Sequence, residues 1–374
     1  MLQAESRRVR GALIAKLRDI LPRQFVLTET EQLRPYECDG LTAYRQLPWI
    51  VVLPSNSEEV EKILALCTAC GVPVVARGAG TGLSGGALPH PHGVLLSMTR
   101  FDRILSVDRA NRSARVQPGV RNIAISEEVG GFGLYYAPDP SSQIACSIGG
   151  NVAENSGGVH CLKYGLTVHN LLKLEVVLMS GESVTIGADA LDMPGYDLLA
   201  LMTGSEGMLG VVTEVTVRLL PKPAVARVIL AAFDDLAVAG NAVAAIIGAG
   251  IIPGGLEMMD NPAIRAAEDF VHAGYPRDAA ALLLCELDGT ESEVEAGIQV
   301  VTRILELQGA TEIRVATDEA ERQRFWSGRK NAFPAVGRIS PDYYCIDGTI
   351  PKKRLGEVLT GISKLSNEYD LRVA

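Results

Sequence analysis

The chain has no surplus of basic residues. Lys and Arg together number 35 against 44 Asp and Glu, a net charge of −9. A nucleic-acid partner is therefore not expected, and no Lys/Arg cluster marks an anionic membrane surface. Long polar tracts are also missing: 47% of residues are hydrophobic and 21% charged, which excludes intrinsic disorder. The 38 glycines follow no collagen period. The cysteines number seven, an odd count and too sparse for a disulfide framework; reduced thiols in a cytoplasm fit better. Residues 1–10 are charged and lack the apolar core of a secretory signal. The longest apolar stretch, residues 236–252, is interrupted by Gly240, Asn241, Gly248 and Gly250 and preceded by Asp234 and Asp235. It reads as a soluble helix and strand, so no transmembrane segment is expected.

At 374 residues the chain exceeds what one core usually supports, and at least two domains are expected. Residues 5–21 place Val9, Leu13, Leu17 and Ile20 on one helical face. Residues 22–48 read as loop. A strand at 49–53, a helix capped by Ser57 with the stripe Val60, Ile63, Leu64, Cys67 and Cys70, and a strand at 72–76 make a parallel α/β unit. Further strands are expected at 93–97, 104–107, 114–117, 172–178 and 211–219. Pro221 and Pro223 then break the chain. Beyond them strand, helix and strand (226–233, 235–249, 254–258), a helix near 261–272, and strand, helix and strand again (280–286, 291–307, 311–316) predict a split, ferredoxin-like antiparallel sheet.

The strongest feature follows the strand at 72–76: Arg77-Gly-Ala-Gly-Thr-Gly-Leu-Ser-Gly-Gly86. Five glycines in ten positions expose successive amides without side-chain obstruction, a nest for anionic oxygens such as a diphosphate. Gly80, Gly82 and Gly85 spell a GxGxxG, but Pro89 and Pro91 forbid the helix that a nicotinamide-type dinucleotide loop needs there. No Gly-Lys-Ser/Thr follows, which excludes a P-loop. Two more clusters, residues 147–158 and 204–210, each read alone equally well as tight turns. Together, three glycine loops in one α/β domain point to an extended ligand with a diphosphate and flat rings.

The motifs Arg77-Gly-x-Gly-Thr-Gly-Leu-Ser-Gly, Pro138-Asp-Pro-Ser-Ser142, Ile148-Gly-Gly-Asn-x-Ala-Glu-Asn155, Tyr164-Gly165 and Gly204-Ser-Glu-Gly-x-Leu-Gly210, in this order, resemble the vanillyl-alcohol-oxidase-type (PCMH-type) flavoproteins. Within them they resemble the FAD-linked D-2-hydroxyacid dehydrogenases, closest to the glycolate oxidase D-subunit branch. The resemblance covers nearly the whole chain. It implies an α+β fold: an N-terminal helical segment (1–45), a PCMH-type FAD-binding domain of two α/β subdomains (46–223), and a ferredoxin-like substrate or cap domain (224–374).

By the same resemblance, Arg77, Gly78, Ala79, Gly80, Thr81, Gly82, Leu83 and Ser84 hold the diphosphate of FAD through backbone amides. Pro138, Asp139, Ser141 and Ser142, then Ile148, Gly149, Gly150, Asn151, Asn155 and Gly158, then Tyr164 and Gly165, pass beside the flavin. Glu206, Gly207, Gly210, Val211 and Val212 reach the ribose or adenine side. Relatives that tether FAD use a histidine in the first loop; Ala79 and Thr81 stand here, which implies non-covalent FAD. Asp139 lies between two prolines and serves a rigid turn as readily as a flavin contact, and Glu206 can equally cap a helical turn.

Oxidation of a 2-hydroxyacid needs a cation for the carboxylate and a base or metal for the hydroxyl. Arg329 matches the family's substrate-carboxylate arginine, and its planar fork suits bidentate recognition. From the residues alone it reads as a solvated helix arginine beside Arg322, Arg324 and Lys330. Cys345 stands where relatives that oxidise 2-hydroxyglutarate carry a lysine, which implies a small substrate such as glycolate or D-lactate. The family's histidine segments, which bind a divalent metal, are not in this sequence. The chain is therefore expected to be C-terminally truncated, to hold FAD poorly and to lack full turnover, with any metal bound only in the full-length protein.

Of the five histidines, His90 and His92 read as surface, His272 as a helix end, and His160 as a hydrogen-bonded residue more than a backup base. Cys67-x-x-Cys70 reads as core. Electrons are expected to leave through a partner or a quinone, with an iron–sulfur subunit among the partners. The location is expected to be cytoplasmic, peripheral at the inner membrane face at most. A non-catalytic flavin-binding or assembly subunit of a multi-subunit oxidase is the alternative.

Overall fold

A computed structural model describes residues 2–190, 194–340 and 342–374. The chain divides into two compact units. One comprises the residues up to Gly158 with Gly165–Pro221; the other comprises Val159–Tyr164 with Lys222–Ala374. Of the run 46–223, expected as one continuous domain, residues 159–164 and 222–223 thus fall in the second unit.

In the first unit, α1 (Leu2–Ile20) buries Leu13 and Leu17, while Val9 of the expected stripe is 40% exposed. The segment expected as loop contains β1 (Val26–Leu27) and a short helix α2 (Thr30–Leu33). Two residues carry no local strand pattern; β1 exists because it pairs with β2 (Ile50–Val52). Helix α3 (Ser57–Ala69) is capped by Asn56, not by Ser57: extended backbone at Asn56 aims its side chain at the Glu59 amide. Strands β3 (Val74–Arg77) and β4 (Val94–Ser97) complete a sheet of order β1-β2-β4-β3, with β2, β4 and β3 parallel. The first glycine loop therefore leaves the carboxyl end of a parallel strand, the usual ligand end of such sheets.

The second sheet has the order β5-β6-β10-β8-β9 and is antiparallel. Its members are β5 (Ile104–Asp108), β6 (Ser113–Val116), β8 (Leu171–Val177), β9 (Ser183–Gly187) and β10 (Val211–Arg218). A small pair, β7 (Leu134–Tyr135) with β11 (Leu220–Pro221), lies apart. The short helices of this region are α4 (Asn122–Val129), α5 (Ile148–Glu154) and α7 (Leu198–Met202), whereas α6 (Cys161–Tyr164) belongs to the second unit. Ile125, Ile148 and Val152 of α4 and α5 pack on Leu174, Val176, Val215 and Val217 of the sheet.

In the second unit, β12 (Val225–Phe233), β13 (Gly255–Asp260), β14 (Ala281–Gly289) and β15 (Glu312–Val315) form a fully antiparallel sheet of order β13-β14-β12-β15. This is the ferredoxin-like arrangement expected. The two faces alternate along each strand. Ile229, Ala231, Leu283 and Cys285 meet α8 (Leu236–Gly248) and α10 (Glu291–Leu307). Leu230, Leu282 and Leu284 meet α9 (Asn261–Val271), α11 (Glu319–Lys330) and Val159. Helices α12 (Ala332–Gly337) and α13 (Leu355–Tyr369) follow.

All seven cysteines are free thiols. Cys67 lies in the first core, as its helical spacing predicts. Burial, aided by the charge of Cys70, pushes its thiol up to about 12, and burial with the charge of Glu286 does the same for Cys285. Thiolate is the reactive form, so both will resist iodoacetamide at pH 8 in the native chain and react once it is denatured. Peptide mass spectrometry reads this directly, and native labelling of either would refute the burial argument.

Candidate cofactor loops and substrate arginine

Among the described residues, none of the amides from Gly78 to Ala87 donates to a backbone carbonyl. This loop holds its shape by other means. Arg77, 8% exposed, turns its side chain back beneath it. Its Nη1 donates to the carbonyls of Cys38 (2.8 Å) and Ala87 (3.3 Å), and its guanidinium lies 5.9 Å from the Tyr36 ring centroid. Burial lowers the Arg77 pKa, and the charge of buried Asp39 opposes that shift. Arg77 is a brace, which leaves the backbone as the loop's route to a ligand. The segment 36–41 that receives the brace is a part of the site that sequence reasoning missed. It carries no local signal, being 39 residues from Arg77.

The second glycine cluster is not a pair of turns: Ile148–Glu154 is helix α5, capped by Ser147, whose Oγ accepts from the Gly150 amide at 3.4 Å. The other motifs converge on this helix. A Cβ on Gly78 would lie 2.2 Å from Ser147 Oγ, so only glycine lets the first loop reach the cap. The amides of Gly204 and Glu206 donate to the carbonyls of Val152 and Ala153, each at 2.8 Å. Glu206 takes φ +53° there, strained for a residue with a side chain. Asn122 Nδ2 bridges the Pro138 carbonyl (3.0 Å) and Asn151 Oδ1 (2.9 Å), tying residues 138–139 to α5. Gly158 packs against Asp139.

Some expected ligand contacts are spent inside the fold. Asn151 is buried among Asn122 and Cys146, and Asn155 Oδ1 accepts from the Val168 amide at 3.0 Å. Glu206, Gly207, Ala79, Ser84 and Ser141 are exposed, and Gly210 and Val211 are buried. Val212, at the start of β10, packs against the core around α5, and Gly149 and Gly150 lie in the first turn of α5. Thr81, Gly82, Leu83 and Ser142 are half-buried. Tyr164 and Gly165 fall in different units. The unspent amides and the glycine cradle fit a diphosphate.

The second unit holds Arg329. Its Nε donates to Glu257 Oε2 at 2.8 Å, with side-chain exposures of 29% and 21%. Two residues along the register, on the neighbouring strand, Glu286 is 2% exposed. Its Oε1 meets His160 Nε2 at 3.0 Å, and its Oε2 accepts from Arg322 Nη1 (2.7 Å) and Trp326 Nε1 (2.5 Å). Burial pushes this carboxyl up, but the bond and charge of His160, the charge of Arg322 and the Trp326 bond together outweigh it and hold the group at about 2. His160 is thus a structural ligand of a buried carboxylate. Lys163 and Tyr164 bond Asp288. Glu257 and Glu286 went unnoticed in the sequence; a glutamate inside an apolar strand run is the signal that could have found them.

Of the remaining candidates, His90 and His92 are exposed and in edge contact with one another. His169 Nδ1 accepts from the Leu166 amide at 3.0 Å. His272 ends α9 in the left-handed region. Cys345 is half-buried, and burial, with the charge of Asp347, raises its pKa. Among the described residues, no three His, Cys, Asp or Glu side chains gather as a metal set, and no helix is long and apolar enough to cross a membrane.

A glycine-lined diphosphate cradle beside a parallel strand end, followed by a ferredoxin-like unit, defines a flavin-linked oxidoreductase. The FAD binding domain family matches residues 48–187, and the family described as FAD linked oxidases, C-terminal domain, matches residues 222–374. The chain belongs to the FAD-linked oxidases, and its cofactor is FAD. It is 67% identical over 365 residues to the glycolate oxidase subunit GlcD of Escherichia coli (strain K12), covering 98% of this chain and 73% of that protein. It is 31% identical to the D-lactate dehydrogenase of Anaerostipes hadrus, covering 100% and 80%. The solved 4-ethylphenol oxidase of Gulosibacter chungangensis shares the fold, with a TM-score of 0.78 at 18% identity over 96% of this chain and 78% of that one.

Proposed function

We propose that this chain oxidises a small 2-hydroxyacid, glycolate or D-lactate, to the 2-oxoacid, working as the flavin subunit of a cytoplasmic, multi-subunit oxidase. The observation that carries the reading is the convergence of the first and third glycine loops on α5, itself the second glycine cluster, beside amides left unspent. Residues 78–84 hold the diphosphate through backbone N–H groups, with residues 138–142, 148–158, Tyr164–Gly165 and 206–212 along the rest of the cofactor. Bound FAD supplies the acceptor for the hydride from the substrate's α-carbon. Arg329 binds the substrate carboxylate through its planar fork and thereby fixes which hydrogen faces the acceptor. Partner subunits, an iron–sulfur protein among them, or a quinone take the electrons onward.

The test is the absorbance spectrum of the flavin-loaded chain before and after anaerobic glycolate or D-lactate, in which the substrate acid bleaches the flavin band. Arg329→Met is expected to slow that bleaching about 100-fold or more, the usual scale for losing a positioning contact. A spectrum unmoved by either acid refutes the reading and favours a non-catalytic flavin-binding role, and bleaching of the Met variant at the unsubstituted rate refutes the assignment of Arg329.

A further inference from the structure

Helix α11 lays two arginines, Arg322 and Arg329, two turns apart on one face over the sheet. Each meets a strand glutamate. Gly255 pairs with Glu286 and Glu257 with Leu284, so Glu257 and Glu286 share a sheet face on neighbouring strands. The two arginines are used differently. Arg322 spends Nε and Nη2 on Glu319 and Nη1 on Glu286, so every edge of its guanidinium is committed. Arg329, among the described residues, makes one side-chain hydrogen bond, through Nε to Glu257. The helix beneath is fixed: Tyr275 donates to the Phe325 carbonyl, and its ring lies against Gly328.

We infer that Glu257 is a positioning and specificity residue for Arg329. Resting on the assignment of Arg329 to the substrate carboxylate, this names what sets that site's substrate class. A guanidinium offers two bidentate edges. Glu257 occupies the Nε side, so the Nη1/Nη2 end is left, in a fixed plane, for one carboxylate. The fixed anionic charge of Glu257 beside it then disfavours a second carboxylate on the same substrate, which is discrimination by a built-in repulsion. The site is a monocarboxylate site.

D-Lactate and D-malate differ by that second carboxylate. Anaerobic bleaching of the flavin-loaded chain, followed against acid concentration, separates apparent Kd from limiting rate for each. Glu257→Gln keeps an acceptor for Nε and removes the charge. It should leave the D-lactate Kd within about threefold and improve the ratio of D-malate to D-lactate affinity about tenfold or more. Glu257→Ala removes the acceptor too and should weaken D-lactate about tenfold or more, a loss that the Gln variant restores. An unchanged affinity ratio in the Gln variant, or a wild-type D-lactate Kd in the Ala variant, overturns the inference. Arg329→Met tells the two failures apart: if it binds D-lactate normally, the assignment of Arg329 fails; if it does not while both Glu257 variants match the wild type, only the role of Glu257 fails.

Discussion

Replacing Glu286 with alanine will lower the calorimetric melting temperature by roughly 10 °C. The carboxylate is 2% exposed and answers His160, Arg322 and Trp326 at once. Removing one partner of a buried ion pair costs about 3–5 kcal/mol, because the remaining charge stays buried and uncompensated, and each kcal/mol moves the midpoint by about 2–4 °C in a domain of this size. Glu286→Gln keeps hydrogen-bonding capacity but no charge and should fall between alanine and wild type. The pH dependence has a definite sign. The folded carboxyl sits near 2 against an ordinary 4.5, so its stabilisation is complete above pH 4.5 and is lost as the pH falls toward 2. The shift corresponds to about 3 kcal/mol, and the alanine variant should lose correspondingly less stability across that window. A variant that melts within 2 °C of wild type would show that the network does not hold the second unit together.

Gly80→Val is expected to strip the cofactor. Gly80 has φ +70°, and a Cβ there would lie 2.2 Å from Arg77 Nη2. The guanidinium cannot swing aside without giving up the Cys38 and Ala87 carbonyls. A branched residue in the left-handed region adds strain of its own. Either the loop or its brace must move, and the amide nest opens. FAD bound per chain, read from the ratio of flavin to protein absorbance, should fall about tenfold or more relative to the unsubstituted chain, the equivalent of about 1.4 kcal/mol in binding. Melting of the second unit should hardly change. Unaltered FAD content would remove the first glycine loop from the cofactor site.

Much of the architecture was legible in local pattern. The Cys67 stripe, the strand before Arg77 and the ferredoxin-like order of the second unit follow from periodicity and from glycine and proline punctuation, which act over a few residues. The glycine loop was legible because side chains are conspicuously absent from it. Helix α5 was not, since its glycines read as turns. It stands because Ser147 caps it and because the amides of Gly204 and Glu206, some fifty residues on, bond its last carbonyls. Arg77 looked like the first residue of a ligand loop, yet its side chain faces Cys38 and Ala87.

What the chain of residues determined alone was the kind of elements it forms, the presence of a glycine-rich loop after β3 and the family it belongs to, because these rest on short-range sterics and on ordered motifs. Which charges meet was decided only by tertiary structure. His160 finds Glu286 across 126 positions, and Arg329 finds Glu257 across 72. Those encounters depend on the register of β13 against β14 and on where α11 lands on their shared face. A shift of β13 by one residue in that register would turn Glu257 to the opposite face and leave Glu286 where it is.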